Sequence, residues 1–239
     1  MADEKMARCQ LNPLAFPGAD DAAASSTNEK PTLESALRFL CPAGEDAGIE
    51  KLLARYRDIN TEPVRLFIAP AEQRILDKLI WPLRNAKACF MGGNYLGTIS
   101  LSGMVAEMVA MLLWEIMDSQ INGRPMTKND ENLLFGSKFE KLGQERRVKV
   151  LSAYGIIGDK TRSDFDKIRQ IRNQYLHLWS HDHDRLPTDG VQSFHAAVSL
   201  VVTAIGQDVQ EGVLVLNPRL VRYLERHQNP ADGVPRQHG

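Results

Sequence analysis

Apolar residues recur along this chain at intervals of three and four, the spacing that lines one face of a helix. Ile49, Leu52, Leu53 and Tyr56 keep that spacing, and Leu33, Leu37 and Leu40 form a shorter pattern before them. Ile75, Leu76, Leu79, Ile80 and Leu83 continue it, up to Gly92-Gly93-Asn94. Pro82 falls inside that run and predicts a kink, because proline has no N–H and crowds the carbonyl four residues back. A long apolar helix follows from about Tyr95 to Met117. Its small residues Ser102, Ala106 and Ala110 fall on one strip, where another backbone can come close. Asn122-Gly-Arg-Pro125 closes it.

Further helices are predicted over about 138–154, from an N-cap at Ser163-Asp-Phe-Asp166, with an acidic residue at the third helical position, to about Trp179, over about 191–209, and around Arg219 to Arg226. Gly212-Val-Leu-Val-Leu216 is the one convincing strand candidate. Alternation of period two is otherwise nearly absent, so the fold class is all-α. The expected organisation is a disordered tail over 1–30, an N-terminal helical extension over 31–70, a helical bundle over 71–210, and a C-terminal extension with a short strand and helix over 211–239. The tail assignment rests on composition. Residues 1–30 hold few large apolar side chains and end in Ala-Ala-Ala-Ser-Ser-Thr-Asn-Glu-Lys, too little burial to offset ordering entropy.

Composition narrows the class. Of 239 residues, 43% are hydrophobic and 25% charged, which excludes a disordered or collagen-like chain. The formal net charge of -1 advertises neither nucleic acid nor an acidic solvating tail. The three cysteines, Cys9, Cys41 and Cys89, form no Cys-x-x-Cys pair, which fits a reducing, cytoplasmic setting. No secretory h-region opens the chain. The stretch from Ile99 to Met117 carries Glu107 and Glu115. A membrane span needs roughly 20 residues with few or no charges, so this stretch is expected to be a buried central helix, with no membrane involved.

The segment from Phe165 to Trp179 carries the candidate chemistry. On a helical wheel Phe165, Ile168, Ile171, Tyr175, Leu178 and Trp179 share one arc, and Arg172 falls inside it. A cation on an apolar face needs a partner. One reading gives it a carboxylate such as Glu107, or a place on a rim with its stem buried. Asn173 and His177 share a neighbouring face, with Arg169 in the same row. His177 stands about 140° from Arg172 on an ideal helix, so the two converge only at a cleft edge, through the reach of the arginine, or across a symmetry axis.

Arg172-Asn-Gln-Tyr-Leu-His177 resembles the Arg-x(4–6)-His motif of HEPN domains, including the Asn that often follows the Arg. The order of elements is similar too: Ala86-Lys-Ala-Cys-Phe-Met-Gly-Gly93, then Asn94-Tyr95 and a long apolar helix with Glu107, then a basic helix, then the motif helix. The resemblance covers roughly residues 72–210. It implies an antiparallel all-α bundle that commonly forms a homodimer. In the ribonuclease members, two motifs meet across the dimer cleft and cut RNA without metal or cofactor. Arg172 and His177 would then be the catalytic pair, with Asn173 assisting, and Arg169 and Lys167 binding phosphate. His177 would exchange protons with the ribose 2′-OH and the leaving 5′-oxygen. Arg172 would hold the phosphorane. Toxin and defence settings, with a protein partner or antitoxin, follow from the same family. Some bacterial members carry a tyrosine two residues after the His that a partner nucleotidyltransferase modifies; this chain has Trp179 there. Other relatives are non-catalytic helical interaction modules, which remains the alternative.

Local charge bears on the RNA expectation. From Lys138 to Arg172 there are ten Lys or Arg against five Asp or Glu. That reads either as a stripe attracting phosphate or as a solvated face laced with i,i+4 pairs. Tyr154, Tyr175 and Trp179 near it read equally as core or as base-stacking platforms. His181-Asp182-His183-Asp184 invites a metal reading. No histidine precedes His177, however, so the pattern of HD-type phosphohydrolases is mostly missing. A hydrated loop without metal is expected there. Gly155-Ile-Ile-Gly-Asp-Lys-Thr161 lacks the Gly-Lys adjacency of a phosphate loop.

Overall fold

The computed structural model describes residues 9–11, 49–61, 66, 68–70, 72–117, 119–121, 123–176, 184–206, 208–210 and 213–228. Helix α1 covers Ile49–Ile59. A short helical turn, Gln73–Ile75, and a π-helical turn, Leu76–Ile80, lead into α2, Trp81–Met91. Then come α3, Tyr95–Ile116, and α4, Lys128–Phe135. A 3-10 turn, Phe139–Lys141, precedes α5, Gln144–Ala153. The remaining helices are α6, Asp159–Leu176, α7, Leu186–Ile205, and α8, Pro218–Gln228. Three two-stranded antiparallel pairs edge this all-α bundle. They are β1, Cys9–Leu11, with β2, Ile68–Pro70; β3, Gln120–Ile121, with β4, Arg124–Pro125; and β5, Asp208–Gln210, with β6, Val213–Val215. Cys9–Leu11 lies within the segment expected to be a tail; the rest of 1–30, and the Leu33–Leu40 pattern, fall outside the described residues.

Helix α3 is the centre, packing against α2, α6, α7 and α5. By length and composition it could cross a membrane; in this fold it is the core helix. Ile99, Val105, Val109 and Ala110 on it are fully buried. Asn94 caps it, its side chain accepting the Gly97 N–H at 2.8 Å, and the short Gly92–Asn94 turn folds α2 back against it. Helix α1 docks on this bundle: Arg55 donates to the Met91 carbonyl at 2.9 Å, and Lys87 donates to Asn60 Oδ1 at 2.8 Å. Helix α8 closes the other end of α3, with the Tyr223 hydroxyl donating to Glu115 at 3.2 Å. Burial, then the Glu115 charge, push that hydroxyl up to about 12, so it stays a donor at neutral pH.

Several boundaries differ from the sequence expectation, each for a local reason. Ahead of Pro82 the chain does not kink inside a regular helix. It takes the wider π register, Trp81 N–H bonding to Leu76 O, and Pro82 falls in the first turn of α2. Ser163 is not an N-cap, because α6 starts at Asp159. Thr161 is buried and continues the stripe of Phe165 and Ile168 one turn toward the N-terminus, a role a threonine hides from an apolar pattern. The helix expected over 138–154 is broken by extended backbone at Leu142 and Gly143. Helix α7 starts earlier than Val191 and stops at Gly206, whose φ is +65°. A Cβ there would also lie 2.9 Å from the Asn217 backbone nitrogen, so glycine is needed both for the turn and for the close approach. The strand expected at 212–216 is β6.

Between α3 and α5 the fold is pinned by one buried carboxylate. Glu131, 4% exposed, accepts from Trp114 Nε1 at 3.1 Å, from the Phe139 N–H at 2.8 Å and from Lys128 Nζ at 3.1 Å. Trp114 stacks on Phe139 at 4.5 Å. Glu131→Ala leaves two buried N–H groups unpaired and is expected to lower unfolding free energy by about 2–4 kcal/mol. Urea denaturation of the variant checks this; a loss below about 1 kcal/mol would contradict it.

Candidate functional site

The motif helix α6 buries Phe165, Ile168, Ile171 and Tyr175 against the bundle. Its last described turn is locked to α7. The Tyr175 hydroxyl donates to the buried Asp189 at 2.7 Å, and Arg185 Nη2 lies 3.6 Å from the same carboxylate. Tyr175 is therefore core, not a base-stacking platform. Tyr154, by contrast, sits partly exposed beside Trp114 and Phe135.

Arg172 lies on the rim of the apolar face, its side chain 37% exposed. Its stem crosses α3 at Gly103, where an added Cβ would meet Arg172 Cδ at 2.8 Å. Its guanidinium pairs with Glu107, one turn further along α3. Gly103 and Glu107 are four residues apart and so share a face. The glycine makes room and the carboxylate supplies the partner that the wheel position demanded.

Around this pair is a groove of about 450 Å³. Its walls are Gly103, Ala106 and Glu107 of α3, residues 143–146 at the start of α5, and Phe165, Ile168, Arg169, Arg172 and Asn173 of α6. The structure thus brings Arg172, Asn173 and Arg169 to one wall. Lys167 is exposed and is not part of it. His177 follows directly on Leu176 and lies outside the described residues, as do Leu178, Trp179, His181, Asp182 and His183. Among the described residues no three His, Cys, Asp or Glu side chains are grouped to hold a metal ion.

Much of the positive excess over 138–172 is paired locally. Arg169 reaches Asp166 at 3.2 Å and Glu145 at 3.8 Å, Lys149 reaches Glu145 at 2.7 Å, and Arg162 lies 4.0 Å from Asp166. Lys149, by its hydrogen bond and its charge, and then Arg169, hold the Glu145 carboxyl below the usual carboxylate range. Arg146 and Arg147 donate to backbone carbonyls of Phe135 and Glu140. Four buried polar atoms at the groove find no hydrogen-bond partner among the described residues: Gln144 Nε2 and Oε1, Arg169 Nε and Arg172 Nε. Such atoms cost about 1–3 kcal/mol each until something polar meets them.

Sequence reasoning missed Gly103, Gln144 and Asp189. A glycine one turn before a carboxylate on an apolar helix is the signal for the first. Gln144 and Asp189 stand in segments whose boundaries were misplaced, so their faces were misread. No family model, curated protein or solved structure matches the chain.

Tyr175→Phe removes the hydroxyl that meets Asp189 and is expected to cost about 1–3 kcal/mol. Thermal and urea melts of the variant check the loss. Faster amide exchange confined to α6 and the start of α7 would locate it at this contact.

Proposed function

We propose that the chain is a HEPN-like RNA-binding protein and metal-independent endoribonuclease, acting as a homodimer in the cytoplasm. One observation carries the reading: α6 sets Arg169, Arg172 and Asn173 along a single groove wall, beside buried polar atoms that have no hydrogen-bond partner among the described residues. A guanidinium offers five N–H donors, and Glu107 engages Arg172 through Nη1. A phosphate oxygen entering the groove would meet the remainder.

In this mechanism a ribose 2′-oxygen attacks the adjacent phosphorus while His177 of one subunit takes the 2′-OH proton. The bond from phosphorus to the 5′-oxygen breaks, and His177 of the other subunit protonates the leaving oxygen. The products are a 2′,3′-cyclic phosphate and a 5′-OH. Arg172 stabilises the extra charge on the phosphorane, Asn173 orients the phosphate, Arg169 holds the flanking backbone in the groove, and Lys167, exposed outside it, meets backbone beyond. A toxin or defence role, with a protein partner that restrains the activity, fits such chemistry.

The non-catalytic interaction module is favoured by a different observation, the Arg172–Glu107 pair, which gives Arg172 a structural task. The two readings separate on one variant. Both partners are more than a third or about a third exposed, so in the ribonuclease Arg172→Ala costs about 1 kcal/mol of stability or less but at least ~100-fold in cleavage rate. In the module it breaks the dimer or lowers the melting temperature by several degrees, with no cleavage to lose. The assay is labelled RNA incubated with the purified full chain in EDTA, with Arg172→Ala and His177→Ala alongside. Cleavage that is absent, or unchanged in both variants, overturns the ribonuclease.

A further inference from the structure

A second cavity, of about 340 Å³, shares one wall with the groove, at Glu107. Its floor is apolar. Ile75 and Leu79 come from the turns before α2, and Met108, Met111 and Leu112 from a face of α3. Tyr223 of α8 also lines it. Methionine side chains are unbranched and polarizable, and they adapt to varied apolar shapes.

The charges around this floor are unevenly matched. Three carboxylates line the cavity, and each has a partner of its own. Glu107 pairs with Arg172, Glu115 accepts the Tyr223 hydroxyl, and Glu140 lies 3.8 Å from Lys128 Nζ. Three cations line it too, and among the described residues no ion pair joins any of them to a carboxylate; the charge of Arg74 acts on the Tyr223 hydroxyl. Arg147 donates to the carbonyls of Phe139 and Glu140, at 3.3 and 2.5 Å. Arg74 and Lys78 make no hydrogen bond or ion pair with a described residue, and both are exposed at the mouth.

We propose that this cavity binds a small amphipathic anion, its apolar ring or short chain on the methionine floor and its carboxylate, sulfonate or phosphate head against Arg74, Lys78 and Arg147. The volume is at the lower end of small-molecule sites, which limits the apolar part to about three aromatic rings or a chain of comparable bulk. A neutral ligand would gain nothing from the three cations, and a simple inorganic anion would leave the floor uncovered. The site needs no contribution from Arg169, Arg172 or Asn173, so it stands whether or not the chain cuts RNA.

The test is a fluorescence titration of the full chain with 1-anilinonaphthalene-8-sulfonate, and in parallel with uncharged N-phenyl-1-naphthylamine. Saturable binding of the sulfonate at one site per chain is expected, with displacement by octanoate. Arg74→Glu combined with Lys78→Glu should weaken the sulfonate at least tenfold and the uncharged dye less than twofold. Met111→Trp fills the floor and should weaken both dyes at least tenfold. Melting curves confirm folding, and the exposed charge-reversal pair serves if the tryptophan variant fails to fold. Sulfonate affinity unchanged in the charge-reversal variant, or both dyes weakened alike by it, overturns the site.

Discussion

A long apolar helix that carries two carboxylates sets the terms for the rest of this molecule. Helix α3 must be enclosed, because most of its surface is hydrophobic, yet Glu107 and Glu115 cannot be enclosed without partners. The fold answers by placing both at the boundary between core and solvent. Glu115 is met by a hydroxyl of α8 and Glu107 by a guanidinium of α6. Each contact adds a polar fastening to the apolar packing that already holds α6 and α8 against α3. The two cavities follow from the same constraint. They open on either side of Glu107, where the helices around α3 cannot close against a charged side chain as they do against Val105 or Val109.

The helical class, the central role of α3 and the apolar stripe of α6 were legible because they rest on periodicity, which one chain displays in full. The pairing of Arg172 was legible too, down to its partner. A lone cation inside an apolar arc and only two carboxylates on the apolar helix beside it leave few other solutions. What the pattern hid was of another kind. Thr161 is a buried polar residue standing in an apolar stripe, so the start of α6 was placed one turn late. The break at Leu142-Gly143 turned one expected helix into a 3-10 turn and a short helix, and that moved the first turn of α5, with Gln144, to the groove. These depend on which backbone hydrogen bonds tertiary packing prefers, and residue spacing does not encode that choice. Cavities are further still from the sequence, since Arg74, Met111 and Tyr223 come from three separate elements.

The Arg172–Glu107 pair also bears on how a groove of this charge could take an anion. Locally, cations and carboxylates nearly balance, so long-range attraction is weak and binding would depend on contact. A partly exposed ion pair is worth about 1 kcal/mol or less, whereas a charge-assisted hydrogen bond to a guanidinium contributes about 1.5–3 kcal/mol. An oxyanion with two such bonds could therefore draw on Arg172 without Glu107 having to release it. Glu107 then acts as a tether that holds the guanidinium in reach along the surface opened by Gly103. Removing the tether would leave a flexible side chain to be ordered anew by each ligand, at an entropic cost of up to about 2 kcal/mol. The carboxylate that would compete with an anion is then what keeps the cation preorganised for it, and its loss would weaken anion binding where simple electrostatics would have it strengthen.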